Sequence, residues 1–104
     1  MTFPHKAKII AHLQAKFENL MAIYALGSRI QGTATPTSDL DLAILVEGKA
    51  EPLALWYASG DLGNLLNHDV DLLDFRAAST VMQNQILYTG ERWWARAEIG
   101  RAHV

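Results

Sequence analysis

Cysteine is absent from this sequence. No disulfide framework and no thiolate metal site can therefore be built. Long hydrophobic runs are missing too, and nothing approaches the roughly 20 consecutive apolar residues of a membrane span. The first residues lack the charged-then-apolar pattern of a secretory signal. A cytoplasmic protein without a membrane partner is expected. Positive charge is scarce: nine Lys and Arg face eleven Asp and Glu, a formal net charge of −2. That balance argues against bulk binding to nucleic acid, which needs a basic face. It leaves room for a nucleotide held through a metal ion, because the ion supplies the positive charge. There is no internal repeat and no low-complexity linker.

What is present suits one small folded unit. The chain has 104 residues, half of them hydrophobic, enough for a real core but not for a second domain. Residues 4–19 read as an amphipathic helix, with Ile9, Leu13, Phe17 and Leu20 at helical spacing and Ile10 widening the stripe. Lys6, Lys8, Lys16 and Glu18 form its solvated side. Met21–Leu26 reads as a short strand ended by Gly27-Ser28. One helical turn is expected over 28–33 and a polar loop around Pro36 over 33–38. Leu40–Val46 is a strongly apolar strand, expected to be covered on both faces.

Glu51–Leu66 reads as a helix with Pro52 at its start and Leu53, Trp56, Leu62, Leu65 and Leu66 as core candidates. Gly60 and Gly63 could divide it in two. Asn67-His68 makes a turn, Val70–Phe75 a third strand, and Ser79–Tyr88 a third helix with Val81, Met82, Ile86 and Leu87 apolar and Gly90 at its end. Arg92-Trp93-Trp94 adds a short edge strand. Helices alternating with strands imply α/β (α+β) layering, a small mixed β-sheet flanked by helices.

The chemistry concentrates in Gly27-Ser28 and, ten residues later, Asp39-Leu40-Asp41. Residues i and i+2 of a strand share a face, roughly 6.5 to 7 Å apart, so Asp39 and Asp41 can converge on a cation at the start of the apolar strand. Carboxylate oxygens are the ligands Mg²⁺ prefers, and Mg²⁺ keeps positions open for substrate phosphates. Gly27 lets the backbone approach a phosphate closely. The Ser28 hydroxyl and the N–H groups of a following turn can hold its oxygens. Arg29 is placed to touch a phosphate or to point into water. A third carboxylate is expected on Val70-Asp71-Leu72-Leu73-Asp74. Asp69 and Asp71 share one face and Asp74 the other. Asp71, between valine and leucine, reads as the most embedded and is the first choice as metal ligand or proton acceptor, with Asp69 the alternative. Asp74 reads as an edge charge that discourages aggregation.

Blander readings compete. Asp-x-Asp alone more often marks a turn or a cap, and Gly-Ser alone merely ends a strand. Two other motifs fail on inspection. Gly27 and Gly32 have P-loop spacing, but Thr33 stands where the lysine belongs. Asp39 to Ile44 begins like a calcium loop but has alanine and isoleucine at its fifth and sixth positions. His5, His12, His68 and His103 show no ligand spacing. Tyr24 reads as core. The pairs Trp56-Tyr57 and Trp93-Trp94 read as core or as contact surface.

Gly27-Ser28, ten residues, then Asp39-Leu40-Asp41, with Asp71 downstream, resembles the signature of the DNA polymerase β-type nucleotidyltransferase superfamily. The short length narrows the resemblance to the minimal nucleotidyltransferases (MNT), commonly the antitoxin halves of HEPN/MNT toxin–antitoxin pairs. It extends over about residues 7–94. The resemblance implies a polymerase β-like nucleotidyltransferase fold. Gly27 and Ser28 would grip the triphosphate, and Asp39, Asp41 and Asp71 would bind Mg²⁺ as the catalytic triad. AMP would pass from ATP to a protein hydroxyl, a tyrosine of a HEPN toxin RNase. Alternatives are a non-catalytic binding antitoxin, or transfer to a small molecule or an RNA end. Relatives with such acceptors generally carry an extra domain.

The domain is expected to occupy residues 1–97. The tail 98–104, Glu-Ile-Gly-Arg-Ala-His-Val, follows none of the preceding patterns and matches an in-frame translation of a common sequencing adaptor. It is expected to be non-native, which intact-mass measurement of the natural protein would check.

Overall fold

A computed structural model describes residues 5–26, 40–67 and 69–96. Four strands and three helices follow in the order α1 (Lys6–Lys16), β1 (Leu20–Leu26), β2 (Leu40–Val46), α2 (Pro52–Leu66), β3 (Val70–Asp74), a 3₁₀ turn (Phe75–Ala77), α3 (Thr80–Thr89) and β4 (Glu91–Ala95). The sheet runs β3-β2-β1-β4. β1 pairs antiparallel with both β2 and β4, whereas β2 and β3 are parallel. The parallel pair needs a crossover, and α2 supplies it. This is the mixed, helix-flanked sheet expected.

α1 and α2 cover one face of the sheet. Ile9 and Leu13 of α1, Leu62 of α2, and Ile23, Leu42 and Ile44 of the strands meet in a core from which water is excluded. The predicted stripe of the first helix is buried as expected. The helix itself is shorter than 4–19, because Phe17 turns extended (φ −120°, ψ 98°) and starts the connection to β1. The register of β1 on β2 shifts between Leu20 and Ala22. The extra residue, Met21, lets both Leu20 and Ile23 reach the core face despite their odd separation.

α2 is one continuous helix through Gly60 and Gly63. Its buried residues are Ala58, Leu62 and Leu66, and it ends where Asn67 takes the left-handed conformation (φ 59°) and sends its N–H back to the Gly63 carbonyl. Leu53, Trp56 and Leu65 were expected in the core but are exposed, Trp56 by 72%. The helix packs through a narrow side, and smaller Ala58 occupies it.

The opposite face of the sheet is covered more thinly. α3 packs there against β1, with Ile86 fully buried while its apolar residues Val81 and Leu87 are exposed. On the same side Phe75 stacks on Tyr24 with ring centroids 5.8 Å apart. Phe75 belongs to the 3₁₀ turn rather than to β3. On β2, Ala43 is buried on this side while Asp41 and Leu45 are half-buried, so the strand is fully covered on one face only. β4 forms the expected edge strand. Its Trp93 is buried beneath the Lys6 ammonium, 5.7 Å from the ring centroid, so it is not a contact surface. No helix among the described residues is long and apolar enough to cross a membrane.

Candidate active site

The parallel register of β2 and β3 sets Asp41 directly beside Asp71. Neighbouring strands lie about 4.8 Å apart, and paired residues point to the same face. That face is the thinly covered one. Ala43 and Leu73 continue it along the strands, while Leu42 and Leu72 turn to α2. Both carboxylates stand at the beginnings of their strands. On the other side of Asp41 its antiparallel partner is Leu26, the last residue of β1. The sequence leaves β1 at Gly27-Ser28, one residue beyond. Strand order therefore brings the end of β1 and the starts of β2 and β3 to one edge of the sheet.

Asp41 is half-buried and Asp71 exposed. Like charges side by side on adjacent strands destabilise a sheet, and a cation shared between them removes that penalty. Carboxylates in register on an open face suit a hard cation such as Mg²⁺. Among the described residues no group of three or more His, Cys, Asp or Glu is assembled around one point. Asp39, the expected third ligand, lies outside the described residues, as do Gly27, Ser28 and Arg29 and the turn and loop expected over 28–38.

The reading of Asp71 as the most embedded carboxylate is corrected. Asp74 holds that place at 6% exposure. It is not an edge charge. Its Oδ2 accepts the Ala50 N–H at 3.2 Å and its Oδ1 the Arg76 N–H at 3.1 Å. It caps the 3₁₀ turn and ties the end of β3 to the segment entering α2. The face assignment itself holds, since Asp74 and Asp71 lie on opposite sides of the strand. Asp69 precedes β3 and its carbonyl accepts the Leu40 N–H at 3.2 Å. That bond locks the starts of β2 and β3 together just below the two carboxylates.

At this edge Ser59 escaped the sequence reading, and Trp56 was read as core or contact surface but not as a neighbour of the carboxylates. The Ser59 hydroxyl donates to the Val70 carbonyl and fastens α2 to β3 beside Asp71. Trp56, one turn earlier on α2, lines an open cavity of about 650 Å³ together with Leu26, Asp41 and Asp71. The only sequence signal for Trp56 was its helical position about 200° from Ala58, which is useful only once Ala58 is known to face the core.

Comparisons with known proteins show the family and the fold. The polymerase beta nucleotidyltransferase family model matches residues 7–99. The protein adenylyltransferase MntA of Shewanella oneidensis is 39% identical over 87 residues, 84% of this chain. The chain spans 63% of that relative's length. A crystal structure of a toxin–antitoxin with AMP-PNP contains a chain of the same fold (TM-score 0.86, 35% identity, 93% of this chain and 78% of that one). So does a tri-AMPylated Shewanella oneidensis HEPN toxin in complex with MNT antitoxin (TM-score 0.78, 31% identity, 94% and 76%). With its strand edge, its paired carboxylates and a family match over nearly its whole length, this chain belongs to the polymerase beta nucleotidyltransferase family.

Proposed function

We propose that this protein is a Mg²⁺-dependent adenylyltransferase that modifies a tyrosine hydroxyl of a HEPN-type toxin and thereby acts as its antitoxin. The observation that carries this reading is the register of Asp41 against Asp71 beside the end of β1. The similarity to a protein adenylyltransferase, and to antitoxin chains crystallised with AMP-PNP and with an AMPylated toxin, supports it.

Gly27 and Ser28, with Arg29, bind the triphosphate through backbone N–H groups, a hydroxyl and a guanidinium. Asp39, Asp41 and Asp71 would hold Mg²⁺, which supplies charge neutralisation at the phosphates and acidifies an oxygen bound to it. The tyrosine oxygen forms its bond to the α-phosphorus as the bond to the bridging oxygen of pyrophosphate breaks. Asp71, the more exposed carboxylate, accepts the hydroxyl proton. The protein supplies position and electrostatics, as expected for phosphoryl-type transfer.

The test is incubation with ATP, Mg²⁺ and a candidate HEPN-type toxin from the same source as this chain. The expected result is an added AMP on a toxin tyrosine by mass spectrometry. Asp41→Asn should reduce labelling to background with folding intact. Undiminished labelling by Asp41→Asn would exclude the metal role. Full neutralisation of the toxin by that variant, without labelling, would make the protein a binding antitoxin instead.

A further inference from the structure

In-line transfer fixes the side from which the acceptor arrives. The attacking and leaving oxygens lie on opposite sides of the transferred phosphorus. On the function proposed above, the phosphates lie beyond the end of β1, so pyrophosphate departs on that side of Asp41. β2 lies between β1 and β3, and Asp71 stands on the far side of Asp41. The acceptor therefore comes in over the β3 edge.

Two cavities open at that edge, of about 650 and 720 Å³, and both are lined by Trp56, Ser59 and Asp71. Trp56 is the wall they share. Its indole is 72% exposed and sits edge-on to Tyr57, itself exposed, with ring centroids 5.7 Å apart. The core does not require it there, because α2 is anchored through Ala58, Leu62 and Leu66. A flat apolar surface beside a carboxylate suits a side chain that is aromatic along its length and hydroxylic at its tip. The larger cavity is also lined by Asp61 and Asp69, and by no lysine or arginine among the described residues. Asp61 lies 3.5 Å from His12 Nε2 and the Lys16 ammonium stands 6.0 Å from the ring of Tyr57, another lining residue, so the carboxylates Asp61, Asp69 and Asp71 outnumber the basic groups beside the cavity. Charge complementarity selects a basic surrounding for the acceptor.

We propose that Trp56 is the acceptor platform: it receives a tyrosine ring flanked by lysine or arginine and directs its hydroxyl toward Asp71. The proposal rests on the transferase reading for the direction of approach. Binding and labelling are therefore measured separately.

The probe is a fluorescein-labelled peptide with one tyrosine between lysine and arginine residues, titrated by anisotropy into the full chain. Trp56→Ala should raise its Kd about five- to tenfold, the scale of an aromatic contact. Trp56→Phe should recover most of the affinity, and a glutamate-flanked peptide should bind more weakly. Affinity for ATP should not change in either variant. Equal Kd for wild type and Trp56→Ala, tighter binding of the glutamate-flanked peptide, or no peptide binding at all would overturn the platform. Loss of ATP affinity in Trp56→Ala would assign the indole to the nucleotide base and overturn it equally. If the peptide binds through Trp56 but neither it nor the toxin is labelled, the platform stands and the transferase reading fails.

Discussion

Asp71 and Asp74, three residues apart on one strand, do opposite work. Asp71 faces the open side beside a second carboxylate; Asp74 is buried and accepts two backbone N–H groups. The period of two along a strand was enough to put them on different faces. It could not say which face is covered, because α1 and α2 decide that from distant parts of the chain. Asp74→Ala should lower stability by about 1 to 3 kcal/mol, the cost of leaving buried donors unmet. Denaturant unfolding checks this, and transfer activity per folded molecule should be unchanged. Trp56 teaches the same lesson in reverse. Its size argued for the core, and only the side on which α2 packs left it outside.

Among the elements, α2 was the least securely read. Two glycines suggested a break, yet the helix is continuous, since packing of Ala58, Leu62 and Leu66 outweighs a propensity cost of about 1 kcal/mol per glycine. Gly60 has open space where a Cβ would stand. Gly60→Ala should stabilise the protein by about 0.5 to 1 kcal/mol. Gly90 is the contrast, because a Cβ there would lie 2.5 Å from the Ile86 carbonyl oxygen and 3.1 Å from that of Ala25. Neither backbone atom can yield without moving α3 or β1, and Gly90→Ala should destabilise by about 1 to 3 kcal/mol. Thermal unfolding of the two variants side by side gives shifts of opposite sign. Helix α3 was well delimited by its residues: Ser79 accepts the Met82 N–H at 3.2 Å as N-cap, and Gly90 closes the far end. Caps are local chemistry and can be read from the chain; bulges such as that at Met21 answer to a neighbouring strand and cannot.

At the scale of the molecule, the sheet is thickly covered on one face and thinly on the other, and its carboxylates stand on the thin side. Mg²⁺ with ATP should stabilise the wild type, and the Asp71→Asn variant much less. A ligand at a hundredfold excess over its Kd contributes about 2.7 kcal/mol, well within reach of a thermal-shift measurement. The residues by themselves determined the alternation of helices and strands, the apolar strand of β2, the capping of α3 and the pattern Gly27-Ser28 to Asp41 that marks the family. These are properties of neighbours along the chain, fixed by periodicity, propensity and spacing. Only the tertiary structure decided that Asp41 pairs with Asp71, that Asp74 is a buried tether, and that Trp56 shares a cavity with both carboxylates Asp41 and Asp71. Each depends on which strand lies beside which, and on the side of α2 turned inward, and those are settled by burial of apolar surface across the whole chain.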